Sequence, residues 1–181
     1  MISREIEIPE GVDVLVEGRS VKISSGDKKN ERTFKDPEIT IKKEDGKVVL
    51  STRSRKKKEA AVVGTVEGHI KNMIDGVVNG VTYKLKAVYS HFPMTIKAEN
   101  NVFSVVNFFG EKHPRTLPIP SDVQIKISGQ DIEVTGVNKE KVAQTAAKIE
   151  DLCRVKKRDL RVFQDGIYLV EKNGKPLMKR K

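Results

Sequence analysis

The sequence predicts an α+β protein made of two duplicated domains, each a small antiparallel sheet covered by one helix. This prediction depends on self-similarity along the chain. Gly26-Asp27-Lys28 recurs 84 positions later as Gly110-Glu111-Lys112, and the hairpin pattern of residues 39–50 recurs at the same shift in residues 123–134. A helix-like stretch follows each hairpin pattern. So long a period indicates a duplicated domain, because the units of solenoid repeats are usually about 20 to 50 residues long.

A second alignment, of residues 8–24 with residues 119–135, competes with this shift but covers only one hairpin. Hairpins with alternating aliphatic residues resemble one another in general, whereas the longer shift carries loop, hairpin and helix in the same order. It divides the chain into domains of residues 1–80 and 81–181, with the helix-ending pair Asn79-Gly80 at the boundary. Domains of this size bury only about 60 to 65% of their unfolded surface, so each core should be small.

Two hairpins are predicted in the first domain. Residues 12–23 alternate between apolar and polar on either side of a turn at residues 17–20. Residues 24–30 are polar throughout and are predicted to form a loop. Residues 39–50 form the second hairpin around Asp45-Gly46, which is a strong turn signal.

A long helix follows the second hairpin. Its apolar residues are spaced by three and four, which is the helical period: Val63, Val66, Ile70, Met73 and Val77. A run of five cations precedes it: Arg53, Arg55, Lys56, Lys57 and Lys58. A solvated helix start is one interpretation of this run. The other is an anionic partner, because the positive end of the helix dipole disfavours cations by roughly a few tenths of a kcal/mol.

The second domain begins with a predicted strand over residues 81–88 and a hairpin whose turn is Asn100-Asn101. Residues 110–120 contain three prolines and are predicted to form an irregular loop. A further hairpin covers residues 123–134. Asn138 is a suitable N-cap for the second helix.

One face of the second helix carries the apolar residues Val142, Ala146, Ile149 and Cys153. After Arg154 the chain becomes irregular and basic, with a short apolar strand at residues 167–170. Ten lysines or arginines face only three acidic residues from position 154 to the end, a net charge of +7, whereas the other 153 residues carry +3. A cationic end implies an anionic partner, most often nucleic acid, because each neutralised phosphate releases counterions.

Composition and charge exclude several classes of protein. Charged residues make up 33% of the chain, yet the apolar periodicity is clear, so wholesale disorder is not expected. No apolar run approaches 18 residues, and Met1 leads directly into Arg4 and Glu5, so we expect neither a membrane span nor a signal peptide. The single Cys153 allows no disulfide framework and no cysteine metal cluster, which suits a reducing cytoplasm.

Signals for catalysis are weak. His69, His91 and His113 have no cysteine or carboxylate at the spacing of metal ligands. The chain has no nucleophile elbow, no Walker loop and no dinucleotide fingerprint. We therefore predict no enzyme, no metal, no cofactor and no small-molecule substrate. An enzyme with a site around His91 and His113 would need a concave pocket there with a perturbed titrating group.

The cations near the C-terminus are the best binding candidates, because lysine and arginine contact phosphates and position a protein without reading sequence. Phe163 and Tyr168 lie among them, either as packing residues or as stacking platforms for bases. The predicted RNA-binding residues of this region are Arg154, Lys156, Lys157, Arg158, Arg161, Lys172, Lys175, Lys179, Arg180 and Lys181.

Five segments carry a family resemblance. Residues 158–168 resemble the C-terminal signature of the archaeal and eukaryotic branch of the large-subunit ribosomal protein six family. Four further landmarks agree with it: residues 89–93, residues 107–112, residues 137–139 and residues 146–149. The resemblance runs over essentially the whole chain, and the family is itself an internal duplication of two α+β units.

The resemblance implies a structural component of the large ribosomal subunit and not an enzyme. It implies binding to 23S-type rRNA, mainly through the second domain, near the factor-binding region, the sarcin–ricin hairpin and the stalk base with its neighbouring ribosomal proteins. It adds His91, Lys112 and Arg115 as loop contacts. The bacterial Lys-Gly-Lys-Gly element is replaced here by Gln164-Asp165-Gly166, so contacts at that element do not transfer. A stand-alone nucleic-acid-binding protein or RNA chaperone is the alternative.

Overall fold

The computed structural model describes residues 2–44, 46–52 and 56–177. The contacts within the chain divide it into two units, Met1–Gly80 and Val81–Lys181. The predictions made for five cations and one turn residue concern positions outside the described residues: Asp45, Arg53, Arg55, Lys179, Arg180 and Lys181.

The first unit folds into two three-stranded antiparallel sheets and one helix. The sheets have the strand orders β1-β6-β5 and β2-β3-β4. In chain order the elements are β1 (Ile2–Glu7), β2 (Asp13–Glu17), β3 (Ser20–Ser25), β4 (Lys28–Thr33), β5 (Ile39–Glu44), β6 (Lys47–Thr52) and α1 (Lys57–Val78).

The helix α1 covers the core of the first unit. All five residues of the predicted apolar stripe are buried, which confirms the helical period. The helix packs against β1, β3, β4 and β6. The helix begins inside the basic run, at Lys57, and Glu59 supplies an acidic side chain in its first turn. It ends at Val78, where the backbone N–H groups of Asn79 and Gly80 still donate to the carbonyls of Asp75 and Gly76.

The second unit has a five-stranded sheet, β11-β12-β7-β13-β14, a three-stranded sheet, β10-β9-β8, and one helix. Its elements are β7 (Val81–Val88), β8 (Thr95–Glu99), β9 (Val102–Val106), a 3-10 turn (Phe108–Gly110), β10 (Arg115–Pro118), β11 (Val123–Ser128), β12 (Asp131–Gly136), α2 (Lys139–Leu152), β13 (Gly166–Lys172) and β14 (Lys175–Pro176).

The start and core face of α2 confirm the sequence predictions. The Asn138 side-chain oxygen accepts hydrogen bonds from the backbone N–H groups of Glu140 and Lys141, at 2.9 and 3.2 Å. The apolar face predicted for α2 is buried in the core of the unit, including Cys153 just after the helix. Burial raises the pKa of the Cys153 thiol to about 12, so this thiol stays protonated and unreactive at neutral pH.

The fold class is confirmed as α+β with a duplicated architecture. In chain order each unit has a first strand (β1 or β7), three strands that form a sheet of their own, a hairpin (β5–β6 or β11–β12) and a helix. The first strand pairs with the second strand of the hairpin in both units. The hairpin β5–β6 starts 84 positions before β11–β12, as the repeat predicts. The competing alignment matches β2–β3 with β11–β12, which occupy different places in their units, and is wrong. Each unit also has a second sheet, and β13 and β14 have no counterpart among the described strands of the first unit.

Two predicted loops are wrong, because each contains an edge strand. Residues 24–30 include the start of β4, which pairs with β3 although only Asn30 in it is buried. Residues 110–120 include β10, which pairs with β9. An edge strand needs backbone hydrogen bonds on one side only, so it forms without apolar alternation and tolerates Pro118.

Candidate nucleic-acid interface

Three segments that are far apart in sequence meet in the second unit. They are the loop of residues 89–94 after β7, the 3-10 turn Phe108–Gly110, and the loop of residues 154–165 between α2 and β13. These segments overlap three of the landmarks that carry the family resemblance. The long loop is called the basic loop below, because it holds five of the predicted RNA-binding cations.

Asp165 fixes the C-terminal end of the basic loop. Its side chain is only 3% exposed. One carboxylate oxygen accepts hydrogen bonds from the Ser90 hydroxyl at 3.0 Å, the Ser90 backbone N–H at 3.2 Å and His91 Nδ1 at 3.0 Å. The other accepts from the His91 backbone N–H at 3.1 Å. Burial raises the pKa of this carboxyl, but the hydrogen bonds from His91 and Ser90 outweigh burial and lower the pKa below its usual value of 3.8.

An aromatic cluster of His91, Phe108, Phe109 and Phe163 lies beside Asp165. The centroids of the His91 and Phe163 rings are 4.8 Å apart, and Phe109 meets Phe163 edge to face at 5.7 Å. The guanidinium carbon of Arg158 lies 4.9 Å from the centroids of both Phe109 and Phe163. Such cation–π contacts are worth about 0.5 to 1 kcal/mol at exposed sites, so they hold Arg158 in place while it remains exposed.

Arg115 has a different environment from the other predicted cations. Its Nε and Nη2 atoms donate to the two carboxylate oxygens of Glu111, at 2.8 and 2.6 Å, and its Nη1 donates to the Leu152 carbonyl at 2.7 Å. Its guanidinium also stacks on the Phe108 ring at 4.3 Å. The hydrogen bonds from Arg115 lower the pKa of Glu111 below its usual value of 4.5. Arg115 thus ties the loop before β10 to the end of α2.

The remaining predicted cations that lie within the described residues are exposed. The side chain of Arg154 lies 3.8 Å from Asp151. The backbone of Lys157 is left-handed, with φ of 58°, and the Arg161 backbone N–H donates to Asp159 Oδ1 at 2.9 Å. The others lie at the β13–β14 turn or in the loop before β10: Lys172, Lys175 and Lys112. Lys179, Arg180 and Lys181 fall beyond the described residues.

Both aromatic residues of this region make packing contacts, although Tyr168 is 43% exposed. Phe163 is part of the aromatic cluster, and the Tyr168 hydroxyl donates to the Gln164 carbonyl at 2.8 Å while its ring lies against Gly166. Two apolar residues of the basic loop are instead highly exposed, Leu160 at 64% and Val162 at 61%. Sequence reasoning missed their exposure and the anchoring role of Asp165. The only signal for Asp165 was its place in the segment where this chain departs from the bacterial pattern.

Ser90, His91 and Asp165 have the composition of a catalytic triad but not its geometry. In a triad the serine and the carboxylate bind opposite ring nitrogens of the histidine. Here Nδ1 of His91 faces both Ser90 and Asp165, and the serine hydroxyl donates to the carboxylate. The described residues contain no cluster of three or more potential metal ligands. No described helix has the length and apolar character needed to cross a membrane.

The fold and site define a duplicated α+β protein with an exposed cationic loop. An aromatic cluster and a buried carboxylate hold this loop in position. The chain belongs to the ribosomal protein L6 family, whose family model matches residues 8–80 and 92–166. The two matches correspond to the two repeated units. The family assignment confirms the resemblance seen in the sequence and the prediction that the chain is a ribosomal protein and not an enzyme.

Curated relatives agree over nearly the full chain. The large ribosomal subunit protein uL6 of Methanococcus vannielii is 49% identical over 177 residues, covering 98% of this chain and 97% of the relative. The uL6 proteins of Methanobrevibacter smithii and Methanothrix thermoacetophila are 43% and 44% identical over 171 residues, covering 94% of this chain and 96% and 97% of the relatives. These organisms are archaea, in agreement with the predicted branch of the family.

Proposed function

We propose that this chain is a structural component of the large ribosomal subunit and binds 23S-type rRNA mainly through its second unit. The names of the relatives, which are large-subunit proteins, support the first part. The charge supports the second, because seven of the ten net positive charges lie after position 153. Lysine and arginine side chains contact phosphates, and the affinity for RNA that they provide falls as the salt concentration rises.

The observation that carries the proposal is the preorganised basic loop. Asp165 fixes one end of the loop, and Arg158 is stacked on the aromatic cluster in its middle. A loop that is already ordered loses less conformational entropy when it binds, so its cations are more effective than those of a flexible tail. Arg154, Lys156, Lys157, Arg158 and Arg161 are the proposed phosphate contacts. Arg115 and His91 are proposed to affect RNA binding indirectly, by holding these cations in position.

The proposed location is near the factor-binding region, with the sarcin–ricin hairpin and the stalk-base proteins as neighbours. The support for this location is the family resemblance carried by residues 89–93, 107–112 and 158–168, which the fold brings into one site. The first unit is proposed to lie further from the rRNA contacts, because residues 1–80 have 16 lysines or arginines against 14 acidic residues, a net charge of +2, whereas residues 81–181 carry +8.

The proposal is tested by binding of the full chain to a sarcin–ricin hairpin RNA and to an unrelated hairpin of equal length over a salt series. We expect a preference for the first RNA that persists near physiological salt. Replacing Lys156, Lys157 and Arg161 by glutamine should flatten the slope of log K against log salt by about 0.7 to 0.9 for each phosphate that the variant no longer neutralises.

The matched control removes the same charge from exposed strand positions of the second unit, at Lys86, Lys97 and Lys126. We expect the control to leave the slope nearly unchanged. Equal slopes for the two triple variants would contradict the assignment of the basic loop. Equal affinity for both RNAs, together with no sedimentation with large subunits at moderate salt, would favour a stand-alone nucleic-acid-binding protein or RNA chaperone.

A further inference from the structure

One edge strand of the first unit has no described partner on its outer side, whereas the corresponding strand of the second unit pairs with an additional strand there. β1 lies at the end of the sheet β1-β6-β5 and pairs with β6 from Ile2 to Glu7 without a break in register. No other described strand pairs with the opposite side of β1. Its counterpart β7 pairs with β12 on one side and with β13 on the other.

The helices show that the two edges correspond. Four buried apolar positions along each helix have the same spacing: Val66, Ile70, Met73 and Val77 in the first unit, and Val142, Ala146, Ile149 and Cys153, which directly follows α2, in the second. Residues one or two positions after these core residues, on the flank of each helix, therefore correspond as well. That flank consists of Lys71, Ile74, Asp75 and Val78 in the first unit, and of Ala147, Glu150, Asp151 and Arg154 in the second.

In the second unit this helix flank faces β13. Its four residues line the same groove as Ile167 and Tyr168 of β13. Glu150 Oε1 also accepts a hydrogen bond from the Leu169 backbone N–H at 3.4 Å. The strand β13 is thus held by β7 at its edge and by α2 above it.

In the first unit the same flank and β1 line a groove of about 600 Å³. Its large exposed hydrophobic residue is Val78, which is 45% exposed although it ends a helix that covers the core, and Ile74 beside it is 8% exposed. Its acidic residues are Glu5, Glu7 and Asp75. The two lysines beside the groove already bind carboxylates, Lys47 that of Glu5 at 3.2 Å and Lys71 that of Glu67 at 2.7 Å.

The backbone of β1 offers hydrogen bonds to an added strand. The Ile8 N–H donates to the Gly46 carbonyl on the β6 side. Because residues of an antiparallel strand alternate in the side to which their N–H and C=O groups point, those of Ser3, Glu5 and Glu7 point to the open side. Strand addition at such an edge obtains affinity from the backbone and specificity from alternate side chains.

We propose that β1 is a docking edge for an extended segment of a neighbouring ribosomal protein. The segment pairs antiparallel with β1, as β13 pairs with β7, and places aliphatic side chains against Ile74 and Val78. Lysine or arginine residues of the segment face Glu7 and Asp75. Because both lysines of the groove already bind carboxylates, Glu7 and Asp75 disfavour RNA phosphates there and favour a basic protein segment. This inference uses the large subunit of the proposed function as the place where the partner is found, but none of the RNA contacts of the second unit.

The first experiment compares hydrogen exchange of the chain when free and when it is in purified large subunits. We expect the amides of Ser3, Glu5 and Glu7 to exchange at least about tenfold more slowly in the subunit, because an added strand accepts hydrogen bonds from them. A photo-cross-linking residue in place of Glu7 should then attach to an extended, basic segment of another protein, whereas the same residue in place of Glu31, on the edge strand β4, should not.

Unchanged exchange in a chain that sediments with the subunit, or a cross-link from position 7 to rRNA, would overturn the docking edge alone. A chain absent from the subunit fraction would overturn the proposed function and with it the ribosomal partner. A second variant, Glu7→Lys, should lose to the wild type in competitive incorporation into subunits by about three- to tenfold. The control Glu31→Lys should compete equally, and equal losses for both variants would also count against the proposal.

Discussion

At the scale of single residues, two arginines of the site have different roles, and the difference comes from the protein groups around each of them. Arg115 and Arg158 both lie in or beside segments that resemble the family, and both were predicted to contact RNA. All three guanidinium nitrogens of Arg115 donate to protein oxygens, whereas Arg158 stacks on two rings and stays exposed. Charge in a sequence therefore indicates how much cationic character a site has but not which cations are available to a ligand.

Asp165 gives the first residue-scale prediction. Asp165→Asn keeps the shape of the side chain but places an amide N–H₂ where donors from Ser90 and His91 converge. We expect the free energy of unfolding to fall by about 1 to 3 kcal/mol at pH 7, because buried donors lose their acceptor. Urea unfolding at pH 7 measures this loss, and Asp131→Asn, at the exposed start of β12 in the same unit, is the control.

The pH dependence of the same variant has a definite sign. The pKa of Asp165 is lower in the folded state than the usual 3.8, so its contribution to stability is complete above that value and is lost as the pH falls through the folded-state pKa. The difference between wild type and Asp165→Asn should therefore shrink below about pH 4. A difference that stays constant as the pH is lowered well past this point would mean that the carboxylate charge is not what stabilises the loop.

At the scale of secondary-structure elements, prediction succeeded where one face of an element is buried. α1 and β12 show their period in the sequence because a buried face requires apolar residues at every turn or every second position. β4 and β10 are edge strands held by backbone pairing, so the sequence carries no such pattern for them. β13 was predicted as a short strand, but its place between β7 and β14 depends on pairing with a strand far away in the sequence.

A helix glycine gives the element-scale prediction. A Cβ atom at Gly68 would meet no heavy atom within 4 Å, and Gly68 does not have a positive φ. Gly68→Ala should therefore stabilise the first unit by about 0.5 to 1 kcal/mol, because alanine loses less backbone entropy in a helix. Thermal unfolding followed by circular dichroism measures the gain. The opposite control is Gly136→Ala, since a Cβ there would lie 2.8 Å from Val142 Cγ2 and 2.9 Å from the Asp122 carbonyl, and it should destabilise the second unit.

At the scale of the whole molecule, duplication explains both what the sequence predicted and what it missed. The repeat predicted the two α+β units because each copy must keep the same hairpin and helix to build its own core. The cations of the site lie in what the second copy has added after α2, and they are positioned by residues 89–94 and 108–110 earlier in the same unit. Ser90 and Asp165 are 75 positions apart, and hydrogen bonds between such distant polar residues leave no local pattern in the sequence.

The last prediction concerns removal of the basic end. Truncation after Cys153 deletes β13, whose Ile167 is 1% exposed in the core of the second unit, and so opens the edge of β7 beside α2. We expect the truncated chain to lose the cooperative unfolding of its second unit, with fast hydrogen exchange in β7 and α2, while residues of α1 keep their protection. Glutamine substitutions at Lys156, Lys157 and Arg161 should leave exchange unchanged everywhere. Protected β7 and α2 in the truncated chain would show that β13 is dispensable for the fold, and any loss of RNA binding on truncation could then be attributed to charge.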